Sequence, residues 1–165
     1  YLHDLSVVQD FATLNREIIF DEICKGMKWK ILDMYSCIHN YIDFDNQEPI
    51  MRKGAISAKK GEKVIIPINM RDGIILGAGL GNEDWNCSAP HGAGRIMKRE
   101  DVKSNFTVSS FKKEMKGIYS SCISKDTLDE APFAYRDIES IKEVVSDTIM
   151  IDKVIKPIYN FKAGM

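Results

Sequence analysis

Gly61-Glu62-Lys63-Val64-Ile65-Ile66-Pro67, followed after five residues by Gly73-Ile74-Ile75-Leu76-Gly77, is the stretch that decides the fold class. Both runs are short, rich in β-branched residues and bounded by turn formers, which predicts strands. They read as buried or edge strands. Outward from this region the texture changes. Leu5, Val8, Phe11, Ala12, Leu14, Ile18 and Ile19 recur at helical spacing and predict a helix over 2–20. Ile138, Ile141, Val144, Val145, Thr148 and Ile149 do the same and predict a second helix over 137–154, ended by Pro157. Residues 31–35 read as a further strand. Helices outside, strands between and no regular βαβ alternation give an α+β fold, mixed sheets with flanking helices.

At 165 residues the default is one domain, 1–165, with no repeat or linker dividing it. The 23 Lys and Arg against 24 Asp and Glu leave a charge of −1, so any grip on a polyanion must be local. The apolar run at 64–68 is interrupted by Pro67 and falls far short of the ~18 residues a membrane helix needs, which predicts no membrane partner. Cys24, Cys37, Cys87 and Cys122 are too dispersed for a CxxC pair or a disulfide framework, and free thiols point to the cytoplasm. The chain starts with Tyr1 rather than Met, which predicts either a trimmed chain or the tail of a longer protein.

Six of the eleven glycines lie between Gly73 and Gly94, a density that marks tight turns or close approach of a ligand to the backbone. The window ends in Ser88-Ala89-Pro90-His91-Gly92-Ala93-Gly94-Arg95-Ile96-Met97-Lys98-Arg99. A helix beginning near Gly92 would align His91, Arg95 and Arg99 on one face, with amides and two guanidinium groups for a phosphate. Small residues around His91 leave its ring reachable for attack on phosphorus. The run alone equally allows a capping histidine and two solvated arginines. Gly77-Ala78-Gly79-Leu80-Gly81-Asn82 reads as a turn. His39, two residues from Cys37, is either a metal ligand at a strand end or a buried core histidine, with Asp43 and Asp45 nearby. Arg52-Lys53-Gly54 and Lys59-Lys60 are short basic clusters, read as a solvated rim or a nucleic-acid path.

The string Ser88-Ala89-x-His91-Gly92-Ala93-Gly94-Arg95-x-Met97-x-Arg99 closely resembles the signature of the RtcB RNA ligases. The likeness continues through Tyr1-Leu2-x-Asp4, Asn15-Arg16, His39-Asn40-Tyr41, Arg52-Lys53-Gly54-Ala55, Gly79-x-Gly81-Asn82, Glu130-Ala131-Pro132-x-Ala134-Tyr135 and Lys156-Pro157-Ile158 with Lys162. It implies joining of RNA with a 2′,3′-cyclic phosphate or 3′-phosphate to RNA with a 5′-hydroxyl, with GTP and Mn²⁺ as cofactors. It places the guanylylated histidine on His91 and a metal-binding histidine on His39. Phosphate contacts fall on Arg95 and Arg99, and guanosine contacts on Tyr135 and Lys162.

The family's PGSMG segment appears here as Pro67-Ile68-Asn69-Met70-Arg71-Asp72-Gly73. Asn69 keeps a hydrogen-bonding side chain for the nucleotide, whereas Arg71 adds charge and bulk. The family's other Mn²⁺ ligands, an Asp, a Cys and further histidines including one in a GNHF motif, belong upstream of Tyr1. The resemblance therefore implies the C-terminal portion of a divergent member, an incomplete fold that needs its N-terminal portion as a partner and is weak or inactive alone. Two further readings of the residues are a non-catalytic RNA-binding fragment and a metal-dependent phosphohydrolase in which His91 is an acid or base.

Overall fold

The computed structural model describes residues 1–45 and 48–161. Helix α1 (Leu2–Met27) opens the chain and closes on a left-handed Lys28, whose N–H reaches the carbonyls of Cys24 and Lys25. It runs about two turns beyond the predicted end. Its apolar stripe is present, yet Val8, Phe11, Leu14 and Ile18 are all exposed and only Cys24 is buried.

Short antiparallel strands β1 (Asn40–Asp43) and β2 (Ile50–Lys53) pair with each other. β3 (Ala55–Ser57) pairs with the distant β6 (Ser88–Pro90). The main sheet has β5 (Gly73–Gly79) at its centre, with β4 (Lys63–Asn69) and β8 (Ile149–Ile155) antiparallel on either side. Of the two readings left open, buried or edge, β4 is an edge strand, and Pro67 lies beside a bulge in it. A parallel pair, β7 (Tyr119–Ser120) and β9 (Tyr159–Asn160), completes the sheets. The α+β expectation holds for this set of helices and small sheets.

Two local expectations fail. The helical pattern over 137–154 divides into helix α4 (Ile138–Val145), capped by the Asp137 carboxylate, and strand β8. Ile149, Ile151 and Val154 are β-branched, and β8 lies against β5 at Gly77, whose missing side chain lets it come close. A Cβ on Gly77 would stand 2.3 Å from the Met150 carbonyl oxygen. Residues 31–35 form no strand. The segment follows the β4 edge through side chains instead: Asp33 pairs with Lys63 at 2.6 Å, and the Lys63 ammonium lies 4.9 Å from the centre of the Tyr35 ring.

Two apolar cores result. In the first, Val64, Ile66 and Ile75 of the sheet meet Ile56, Ala89 and Ile141. In the second, helices α2 (Arg99–Asn105) and α3 (Val108–Glu114) contribute Val102 and Phe111, which pack on Leu128, Ala131 and Ala134. Tyr135 touches both cores and so marks the seam between them. Among the described residues, no helix is long and apolar enough to cross a membrane.

Candidate functional site

Strand β6 ends at Pro90, and the chain delivers His91 to the rim of the seam. The β3–β6 register sets Ala55 opposite Pro90, which brings the turn at Gly54 directly against the histidine. Gly54 has φ +66°, a conformation that favours glycine. Its carbonyl oxygen lies 2.6 Å from His91 Nδ1 and 3.4 Å from the His91 backbone nitrogen. A carbonyl only accepts, so Nδ1 carries the hydrogen, and in the neutral ring the lone pair is then on Nε2. The Asn40 side-chain oxygen accepts from the Gly54 N–H at 3.0 Å and steadies that peptide. From α1, Gln9 donates to the Asn40 carbonyl at 2.8 Å.

His39 stacks on His91, with ring centroids 4.6 Å apart and planes at 30°. Both histidines are exposed. Cys37 behaves differently: it packs against the first core, its thiol donates to the Lys63 carbonyl, and burial pushes its pKa up. His39 is thus not a buried core histidine but lies beside His91, while Cys37 takes the core role. Asp43 does not join it, being buried in an ion pair with Arg52 at 3.0 Å. Arg52 is accordingly no part of a solvated rim. Lys59 turns to Asp43 and Asp45, each at 3.3 Å.

His91 opens onto a cavity of about 720 Å³ between the two cores, walled by Gly92, Arg95, Pro67, Asn69, Tyr135 and Tyr159. The expected helix from Gly92 is absent; residues 92–98 run irregularly and α2 begins only at Arg99. Ala93 N–H is instead tied to the Pro67 carbonyl, Gly94 has φ +70°, and Arg95 bridges to Tyr135. The arginines nevertheless come together, by another route. Arg95 donates to the Tyr135 hydroxyl at 2.9 Å, to the Asp129 carbonyl and to Glu130. Arg99 donates to the Asp129 carboxylate and to Glu130, yet remains 64% exposed, so one side of its guanidinium still meets water.

Tyr135 donates to Glu130 at 2.6 Å, and burial together with that carboxylate pushes its phenol up to about 12. It is therefore a neutral hydrogen-bonding group at any physiological pH. Asn69 lines the cavity, but its side chain is engaged in its own turn, accepting from Arg71 and Asp72 N–H and donating to Asp72. Arg71 points to Asp72 and Glu114. Lys162 lies outside the described residues.

Sequence reasoning assigned no role to Asp129, Glu130 or the Gly54 carbonyl. The adjacent acidic pair was visible as charge, whereas a backbone acceptor leaves no residue-type signal. Among the described residues no three His, Cys, Asp or Glu side chains converge as a metal site. His39 offers one imidazole, which by itself does not fit a Mn²⁺ centre.

A family model described as tRNA-splicing ligase RtcB matches residues 1–163. RNA-splicing ligase RtcB of Escherichia coli K12 is 31% identical over 168 residues, covering 92% of this chain and 40% of that protein. tRNA-splicing ligase RtcB of Aeropyrum pernix is 28% identical over 180 residues, covering 87% and 37% respectively. For the Methanopyrus kandleri tRNA-splicing ligase RtcB the figures are 31%, 94% and 20%. The chain thus spans two fifths or less of the length of these relatives.

Proposed function

Because the chain belongs to the RtcB family of tRNA-splicing ligases, we propose that it is the part of an RNA ligase that carries the nucleotide on His91. The supporting observation is the 2.6 Å bond between His91 Nδ1 and the Gly54 carbonyl. It leaves Nε2 as the nucleophilic nitrogen, exposed at the mouth of a cavity large enough for a nucleotide.

In this reading the Nε2 lone pair forms a bond to the α-phosphorus of GTP while the bond to the pyrophosphate oxygen breaks. The Nδ1 proton stays where it is, and the Gly54 carbonyl stabilises the positive charge gathering on the ring. An oxygen of an RNA 3′-phosphate then takes GMP from His91, freeing the imidazole. Finally the 5′-hydroxyl of a second RNA attacks the activated 3′-phosphorus and expels GMP. A 2′,3′-cyclic phosphate end would enter after opening to the 3′-phosphate.

Arg99 is the reachable cation for the phosphates. Arg95 spends its donors on Asp129, Glu130 and Tyr135 and is better suited to hold Tyr135 against the cavity wall. Mn²⁺ would supply Lewis-acid charge neutralisation; among the described residues His39, beside His91, would be the ligand offered to it, and one imidazole does not hold the ion alone.

The test uses the full-length protein with GTP radiolabelled at the α-phosphorus and Mn²⁺. Labelled protein is expected, stable to alkali and labile to acid as a phosphoramidate is, and lost in His91→Ala. Labelling that survives in His91→Ala overturns the assignment. Release of phosphate from RNA ends without GTP consumption would support a phosphohydrolase in its place.

A further inference from the structure

The cavity has an aromatic margin that the reaction above does not use. Strands β7 and β9 run parallel with Tyr119 opposite Tyr159, and a parallel register sends both side chains to the same face. The rings stack, centroids 5.3 Å apart and planes at 17°. Tyr159 is fixed in place: its hydroxyl meets Ser121 Oγ at 3.1 Å, and the next residue, Asn160, donates to the Met70 carbonyl at 2.8 Å. Tyr119 is not enclosed, being 69% exposed beside a Tyr159 that is itself 49% exposed.

Two further observations indicate what this pair receives. Tyr159 and Asn160 line the same cavity as His91, so the stacked rings continue its wall outward. Lys116 and Lys156, each three residues ahead of its tyrosine in the sequence, are exposed lysines. Stacked aromatic faces with nearby cations are the elements with which proteins hold single-stranded nucleic acid without reading its sequence.

We propose that Tyr119 and Tyr159 form a stacking platform for a base at the RNA end whose terminal phosphate enters the cavity. The proposal rests on the RNA-ligase reading of His91 and extends it to the substrate. It makes the nucleotide near the end, rather than the distant RNA body, the part that is gripped.

The experiment measures binding of a fluorescein-labelled single-stranded RNA decamer with a 3′-phosphate to the full-length protein by anisotropy. Tyr119→Ala is expected to weaken binding by on the order of 10-fold, as loss of one base–aromatic stack does. Tyr119→Phe, which keeps the ring, should bind like the wild type. His91 labelling by GTP should be the same in wild type and Tyr119→Ala, since Tyr119 lies outside the nucleotide-transfer machinery. Should Tyr119→Ala fail to fold, a decamer with an abasic terminal nucleotide supplies the same comparison on wild-type protein. Equal affinity of wild type and Tyr119→Ala, an equal loss in Tyr119→Phe, or indifference to the abasic end would each overturn the platform. Absence of His91 labelling in the wild type would instead remove the ligase reading, while the anisotropy still reports on the rings.

Discussion

Replacing Asp43 by asparagine hardly alters the shape of the β1–β2 pair, yet removes one charge from a place that water cannot reach. The Asp43 side chain is 4% exposed and the Arg52 side chain 1%, with 3.0 Å between them. Among the described residues Arg52 otherwise meets only neutral acceptors, the Asn86 carbonyl and the Ser88 hydroxyl, and its Nε has no partner there. Severing one member of such a buried pair costs about 3–5 kcal/mol. The asparagine oxygen still accepts from the guanidinium and recovers about 1 kcal/mol, leaving a loss of about 2–4 kcal/mol. Lys59 stays partly hydrated and adds little. Against a total stability of about 5–15 kcal/mol, that loss is easily read as a lower urea midpoint at unchanged slope. Removing both charges in Asp43→Leu/Arg52→Met should return the protein to within about 1 kcal/mol of wild type.

The pH dependence supplies a second readout of the same pair. Burial tends to raise the Asp43 carboxyl, but the Asp45 N–H, Arg52 and Lys59 prevail and hold it below the ordinary carboxylate value. A depressed folded pKa means stability that is complete above about pH 4, the unfolded value, and lost as pH falls through the lower folded one. Asp43→Asn should lack that share of the acid slope. A stability change under about 1 kcal/mol, or a double variant as damaged as the single one, would refute the buried-pair reasoning.

Two other outcomes follow from the geometry. Asn40→Ala frees the Gly54 peptide that holds His91, so guanylylation of the full-length protein should slow by roughly 10- to 100-fold, the usual effect of loosening a partner that orients a reactive imidazole. Asn40→Asp keeps the accepting oxygen and should restore the fixed Nδ1–H tautomer seen in nitrogen-15 spectra of the ring. Gly79→Ala would set a Cβ 2.3 Å from the Ala58 carbonyl group, where the obstacle is backbone; a loss of about 3 kcal/mol or more in thermal unfolding is expected.

What the sequence made legible was chemistry carried by residue type. His91 stood out because small neighbours flank it, and the Val64–Ile66 and Ile74–Leu76 runs are strands because β-branched residues favour that state. Spacing misled where two periodicities overlap. Ile141, Val145 and Ile149 fit one helical stripe, but Ile149 crosses into β8 because β5, bare at Gly77, offers it a strand to pair with. Arg95 and Arg99 fitted a helix face as well, yet the Ala93 bond to Pro67 and the bridge from Arg95 to Tyr135 keep residues 92–98 from coiling. The stack of His39 on His91 and the acceptor at Gly54 were beyond reach, because each depends on a distant partner that no local window contains.

That last arrangement also governs how reactivity would respond to damage. The ring of His91 is pinned by a residue 37 positions earlier and faced by another from before β1. A peptide spanning only the glycine-rich segment would hold every atom of the nucleophile and none of its orientation. On the proposed reading, transfer to that nitrogen would report long-range order, switching off with the surrounding fold rather than fading with its own loop.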